Sequence, residues 1–318
     1  MSYIPQVSIC VPVYNVEKYI GRCLDSLVCQ SFKDIEIIVV NDCTPDNSME
    51  VVKRYAKDDE RIKIINHDTN LGLMWTRRTG YMAAKGDYIT FCDSDDWLPI
   101  DAIKNLYDKA LELNADIVSG EIQMCYDDGT TKSFLNCCLT GSEKNDIYQS
   151  LLTKTYPHNL CSKLFKRDLL QGHDYITLKH HTNAEDGMLF YQVVQHVKKA
   201  FHINEVVYIY YQNRNSSTHS RLNEIALIRL VEFYNFIINI PYNNNKLQRL
   251  ALCYATECLN EFALNQGYRR MKLVVQKHGL HPYLNCFYRL RFMSMKQNLR
   301  WYTKYILKLF KEMFYAKN

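Results

Sequence analysis

Residues Ala84–Trp97 read A-K-G-D-Y-I-T-F-C-D-S-D-D-W. The run Tyr88–Cys92 is apolar, aromatic and β-branched, and has the length of one buried strand. Directly behind it stand three carboxylates in four positions: Asp93, Asp95 and Asp96. Like charges this close repel, so at the end of a buried strand they need a cation or hydrogen-bond donors. Carboxylate oxygens suit hard cations such as Mg²⁺ or Mn²⁺, which keep open positions for substrate phosphates. A solvated turn that caps the helix beginning near Pro99 would also explain them.

Outward from this stretch, strand and helix patterns alternate. Val7–Val13, Ile35–Val40, Ile62–Ile65 and Ala115–Gly120 read as further strands. Glu17–Cys29, Ser48–Ala56, Leu73–Ala84 and Pro99–Leu113 carry helical spacing. Continuous apolar strands between helices predict a mostly parallel α/β sheet covered on both faces. Right-handed crossovers then bring the strand C-terminal ends to one edge, where ligands of such sheets bind. Further on, a polar hairpin is expected near Asp127–Thr131, helices at Ser142–Leu152 and Glu185–His196, and a strand at Val206–Tyr211. From Asn223 the pattern is helical, broken by Pro241 and Asn243–Asn245. The expected division is 1–220 and a helical 221–318.

The polar motifs fall on the predicted edge. Val11-Pro12-Val13-Tyr14-Asn15 follows the first strand, where Tyr14 could stack on a base, although turns favour Pro and Asn in any case. Asp42 stands where the second apolar run stops, placed equally well to accept from a nucleobase N–H or to cap a helix; Asp46 suits the cap better. Glu185-Asp186 opens an apolar helix, as dipole-favoured acids or as a general base. Of Arg77 and Arg78, one could face a phosphate. Lys163 interrupts an apolar patch, and Arg214 and Ser216 follow a strand end. No G-x-S-x-G, G-x-G-x-x-G or Walker A pattern is present, and no cysteine pair has C-x-x-C spacing.

In order, the chain carries V-P-V-Y-N, N-D-C-T-P-D-N-S, N-L-G-(x4)-R-(x2)-G, A-K-G-D-Y-I-T-F-C-D-S-D-D-W and an E-D pair before an apolar helix. This series resembles glycosyltransferase family 2, the inverting enzymes with a GT-A fold, over about residues 5–220. The resemblance implies a transferase that uses a nucleotide-sugar donor, with UDP expected as the nucleotide. Pro12, Tyr14 and Asp42 would cradle the base. Asp93, Asp95 and Asp96 would form the D-x-D metal motif, with Asp95 on the Mn²⁺ or Mg²⁺. Asp186 would be the catalytic base. Arg77 and Lys163 match basic positions near the donor, and Arg214 and Ser216 match a segment that closes over the nucleotide. One departure is Cys43, where members often have Gly.

Composition sets the bounds. The 318 residues are 47% hydrophobic and 23% charged, which excludes a disordered chain. No apolar run reaches membrane-spanning length, and the start lacks the features of a secretory signal, so a cytoplasmic chain with reduced cysteines is expected. The net charge is +5, but residues 287–318 alone hold eight Lys/Arg against Glu312. There Tyr288, Phe292, Met295, Leu299, Tyr302, Ile306, Leu309 and Met313 repeat at helical spacing. Such a helix would lie on the anionic inner face of a membrane, or pack on the body. Membrane contact would suit a lipid-linked or glycan acceptor in bacterial capsule or lipopolysaccharide assembly. A nucleic-acid partner is not expected, because the basic charge is confined to the tail. The alternative to an enzyme is a non-catalytic sugar-nucleotide-binding scaffold subunit of an assembly complex.

Overall fold

The computed structural model describes residues 4–134, 139–179, 184–212 and 224–266. The chain divides into two compact units, Met1–Arg221 and Leu222–Asn318.

In the first unit the strands are β1 Val7–Val13, β2 Ile35–Asn41, β3 Ile62–Asn66, β4 Tyr88–Phe91, β5 Ile117–Tyr126, β6 Thr131–Phe134, β7 Thr140–Ser142, β8 Lys163–Lys166 and β9 Ala200–Gln212. The helices are α1 Ile20–Val28, α2 Ser48–Asp58, α3 Leu73–Ala83, α4 Ala102–Leu113, α5 Lys144–Leu152, α6 Arg167–Gln171 and α7 Glu185–Val194. They flank one sheet of order β3-β2-β1-β4-β8-β5-β9-β7, with β6 paired to β5. All seven β1 residues are buried, because the strand is covered on both faces. α1 lays Ile20, Cys23, Leu24 and Leu27 against this core.

The sheet has two halves. β3, β2, β1 and β4 run parallel, as the alternation predicts. β8 then runs antiparallel to both β4 and β5, while β5 and β9 are parallel to each other. β6 and β7 add antiparallel pairs, so the whole is mixed. The hairpin expected near Asp127–Thr131 joins β5 to β6, closed by Tyr126 N–H donating to Thr130 O at 3.0 Å. At the centre, β1 lies between β2 and β4, so the chain reverses its direction of travel across the sheet there. Such a switch point leaves a crevice beyond the strand C-terminal ends. Gly80 lets α3 approach β1 there: a Cβ on it would stand 3.1 Å from the Cys10 Cβ.

In the second unit, α8 Glu224–Asn239 and α9 Asn245–Gln266 form a helical pair. Leu230, Phe233 and Ile237 of α8 are buried, as are Leu247, Ala251 and Ala255 of α9. The Tyr234 and Tyr254 rings meet edge to face at 6.1 Å. Among the described residues, no helix is long and apolar enough to cross a membrane. The tail stripe of 287–318 lies outside the described residues.

Candidate active site

The loops after β1 and β2 are tied together by backbone amides. Asn15 N–H donates to Thr44 Oγ1 at 2.8 Å, and Glu17 N–H to Asp46 Oδ2 at 2.8 Å. Asp46 also accepts from the Ser48 and Thr44 hydroxyls. Burial works against its charge, but these hydroxyls and the Glu17 and Ser48 amides pull its pKa down to about 2. Both loops turn through left-handed backbone, at Asn15 (φ 58°) and Cys43 (φ 56°). Cys43 therefore keeps the turn that a Gly would make without strain. Pro12 lies inside β1, and the Tyr14 side chain behind it is 49% exposed, open for stacking.

Asp42 is buried and faces inward. Its carboxylate accepts from the Leu71 and Gly72 amides at 2.8 Å each and meets His67 Nδ1 at 2.7 Å. His67 Nε2 lies 2.8 Å from the Thr79 hydroxyl. Asp42 thus shapes the 67–72 loop through the Leu71 and Gly72 amides and His67.

The three acids after β4 have three different environments. Asp93 Oδ1 accepts from Arg77 Nη2 at 2.8 Å, and its Oδ2 from the Cys161 thiol at 3.3 Å. Asp96 is fully buried and turned toward β9, where it accepts from the Tyr208 hydroxyl at 2.6 Å and the Tyr211 amide at 2.8 Å. Burial and the charges of Asp95 and Asp93 hold its pKa well above the carboxylate range. Asp96, expected beside Asp93 and Asp95 in the metal motif, thus has a hydrogen bond from β9 on each carboxylate oxygen. Asp95 is the one left over: among the described residues, its carboxylate has no side-chain partner. Burial and the Asp93 charge push its pKa up to about 6, against the pull of Arg22 and Arg77.

Arg77 joins this loop to the start of α7. Its guanidinium is 2% exposed and pairs with Asp93, with Glu185 at 3.3 Å and with Asp186. Burial works against the Arg77 charge, yet Asp186, Asp93 and Glu185 together hold its pKa well above the usual value. Asp186 Oδ2 also accepts from the Leu160 amide at 3.2 Å. Glu185 is pushed up to about 7 by burial and by the Asp186 charge. Ala184, before α7, is held at φ 62°, a strained setting for a residue with a Cβ.

The two basic residues expected near the donor, Arg77 and Lys163, are both buried. Arg77 directs its guanidinium to the carboxylates of Asp93, Glu185 and Asp186. Lys163 is fully buried in β8, its ammonium donating to Asn159 O at 2.6 Å and Oδ1 at 2.9 Å beneath the Tyr156 ring. Arg214 and Ser216 lie outside the described residues. The structure adds Arg22, His67, Cys161 and Tyr208, whose sequence surroundings carry no motif. It also adds His158, whose pKa burial lowers, with Asp186 opposing and Lys163 adding to the effect.

This arrangement of sheet and edge loops is that of a GT-A transferase. Staphylococcal TarS (S. aureus, residues 1–349, in complex with UDP-GlcNAc) superimposes with a TM-score of 0.70 at 20% identity, covering 86% of this chain and 78% of that one. The profile described as Glycosyl transferase family 2 matches residues 8–171, and the chain belongs to that family. It is 36% identical over 219 residues to the uncharacterized glycosyltransferase EpsJ of Bacillus subtilis, covering 68% of this chain and 63% of EpsJ. It is 34% identical over 191 residues to the poly(ribitol-phosphate) beta-glucosyltransferase of Bacillus spizizenii, covering 58% of this chain and 28% of that protein. The chain thus spans less than two thirds of the length of these two relatives.

Proposed function

We propose that the protein transfers a sugar, with inversion, from a UDP-sugar to a hydroxyl of a glycan or lipid-linked acceptor in surface-polysaccharide synthesis. The observation that carries this reading is the pairing, through Arg77, of the Asp93 loop with Asp186 at the sheet's switch point. In this reading Asp186 would be a carboxylate base beside the place where a leaving diphosphate would gather. The UDP-GlcNAc held by TarS and the beta linkage named for the Bacillus spizizenii relative support the donor class and the inversion.

Tyr14 offers the exposed ring for the base, and Asp42 holds the 67–72 loop. Asp95 suits a divalent Mg²⁺ or Mn²⁺, as a hard oxygen donor without a competing side chain in an acidic surround. No group of three or more His, Cys, Asp or Glu among the described residues could hold a metal, so donor phosphates and water would complete its shell. When bound, the cation would supply Lewis-acid stabilisation to the departing diphosphate. Asp186 would take the proton from the acceptor hydroxyl at one oxygen while the Leu160 amide holds the other, worth about 10²–10⁴-fold in rate. The basic residues of 287–318 and the apolar stripe between them suit an acceptor carried at an anionic membrane surface.

The test is Asp186→Asn, assayed for UDP binding and for sugar transfer. Retained binding with transfer reduced by about 10²–10⁴-fold is expected. Near-wild-type transfer would remove Asp186 as the base. A wild-type chain that binds UDP but transfers from no UDP-sugar would favour the scaffold reading.

A further inference from the structure

Arg22 belongs to α1 and to none of the acidic motifs. Its side chain crosses to the loop after β4 and donates from Nη2 to the backbone carbonyl of Asp95 at 2.9 Å. The guanidinium carbon lies 3.9 Å from the Trp97 ring centroid and 4.2 Å from that of Tyr211. Its Nε is buried without a hydrogen-bond partner, so stacking holds the group as much as hydrogen bonding does. Trp97 is itself bound to β9 by a reciprocal backbone pair with Ile209, at 3.3 and 2.9 Å.

We propose that Arg22 is a positioning residue for Asp95, fixing the backbone that presents this carboxylate to a divalent cation. The proposal rests on the reading of Asp95 as the cation's ligand. Asp96 pins the loop to β9 from one side, through Tyr208 and Tyr211. Arg22 pins it as well and takes only the carbonyl, so among the described residues the Asp95 carboxylate keeps no side-chain partner. An arginine suits the task because a planar guanidinium can lie against two aromatic faces while still donating in its plane. A lysine keeps the charge but neither the plane nor the fork. Without Arg22 the loop would have to be ordered when the cation binds. Loss of groups that orient a metal ligand typically costs about 10–100-fold in affinity.

Charge and position predict opposite results. A nearby cation repels Mn²⁺, so if Arg22 acted by charge alone, Arg22→Met would tighten Mn²⁺ binding and Arg22→Lys would change nothing. As a positioning residue, it predicts that both variants weaken binding, by about tenfold or more.

The experiment follows free Mn²⁺ by its EPR signal during titration of the full chain with UDP present, for wild type, Arg22→Lys and Arg22→Met. UDP affinity without metal and thermal stability are measured alongside. Weaker Mn²⁺ uptake in both variants, with metal-free UDP affinity unchanged, is the expected result. Tighter uptake by Arg22→Met, or unaltered uptake by both variants, overturns the proposal while leaving the reading of Asp95 intact. A fall in metal-free UDP affinity overturns it in favour of a direct contact with the nucleotide. Wild-type protein that takes up no Mn²⁺ overturns the reading of Asp95 and this proposal with it. Should both variants fail to fold, Tyr211→Leu removes one stacking wall and keeps Arg22. A smaller weakening is expected there, and unaltered uptake overturns the proposal.

Discussion

After β2, Asp42 and Asp46 each hold a carboxylate among amides, hydroxyls and an imidazole. After β4 and at the start of α7, Asp93, Glu185 and Asp186 share one buried guanidinium. The two neighbourhoods lie on the same sheet edge and look alike in composition. Their titration differs in sign: Asp46 is pulled down to about 2, whereas Glu185 is pushed up to about 7. Carboxylates saturated by neutral donors hold loops in place. Carboxylates in excess of their counter-charge carry unfavourable energy, as groups at functional sites often do.

The strongest way to break this comparison is to remove the shared counter-charge. Arg77→Met leaves three acids facing one another with no cation between them. Unpairing buried charge typically destabilises by about 3–5 kcal/mol, so denaturant unfolding should show a loss of that order. A loss under about 1 kcal/mol would mean that water or proton uptake already relieves the acids, and the contrast between the two regions would shrink accordingly.

The second test uses the opposite titrations. Glu185 has a raised folded-state pKa, so the folded state binds more protons than the unfolded state between its ordinary value of 4.5 and about 7. Its contribution to stability is full below 4.5 and is lost as pH rises through 7. Glu185→Gln should therefore stabilise the metal-free protein at pH 8, by about 1–3 kcal/mol, and the gain should fade toward pH 5. Asp46 has a lowered folded-state pKa, so its contribution is present above 3.8 and is lost as pH falls toward 2. Asp46→Asn should cost about 1 kcal/mol at pH 7, after allowance for solvent screening, and the deficit should shrink below pH 4. Unfolding measured across pH for both variants decides the matter. Parallel curves would show that the two regions do not differ in the way their contacts imply.

The sequence carried the parallel half of the fold almost to the residue. β1 to β4 are continuous apolar runs between helices, and both faces of such strands are buried, so no other arrangement suits them. β8 was not legible, because Lys163-Leu164-Phe165-Lys166 is four residues long and bracketed by lysines. Its Lys163 reads as a break in an apolar patch until β4 and β5 are seen to flank it. At the site, the identity of the acids was legible and their division of labour was not. Asp93, Asp95 and Asp96 are alike as letters. Only the path of β9, which brings Tyr208 and Tyr211 beside the loop, turns Asp96 inward and leaves Asp95 open. Arg77 and Arg78 were likewise adjacent letters, told apart only by the family resemblance. Successive helix positions point about 100° apart. Arg77 reaches the acids, while Arg78 donates to the Tyr175 carbonyl and the Thr177 hydroxyl.

The smallest effect sharpens the saturated side of the comparison. Asn15 and Cys43 both occupy left-handed backbone in loops that hydrogen bonds hold fast. Asn tolerates this conformation, whereas most residues with a Cβ lose about 1–2 kcal/mol there. Glycine removes that strain but gives up about 0.5–1 kcal/mol of chain entropy. Cys43 is exposed and unbonded to another cysteine, so its side chain adds little packing to set against the change. Cys43→Gly should thus stabilise by about 0.5–1 kcal/mol, Cys43→Ala should be neutral, and Asn15→Gly should gain less than Cys43→Gly. Thermal unfolding of the three variants reads the order directly. If Cys43→Gly destabilises while Cys43→Ala does not, flexibility outweighs strain at this turn, and the loop after β2 is held less firmly than its hydrogen bonds imply.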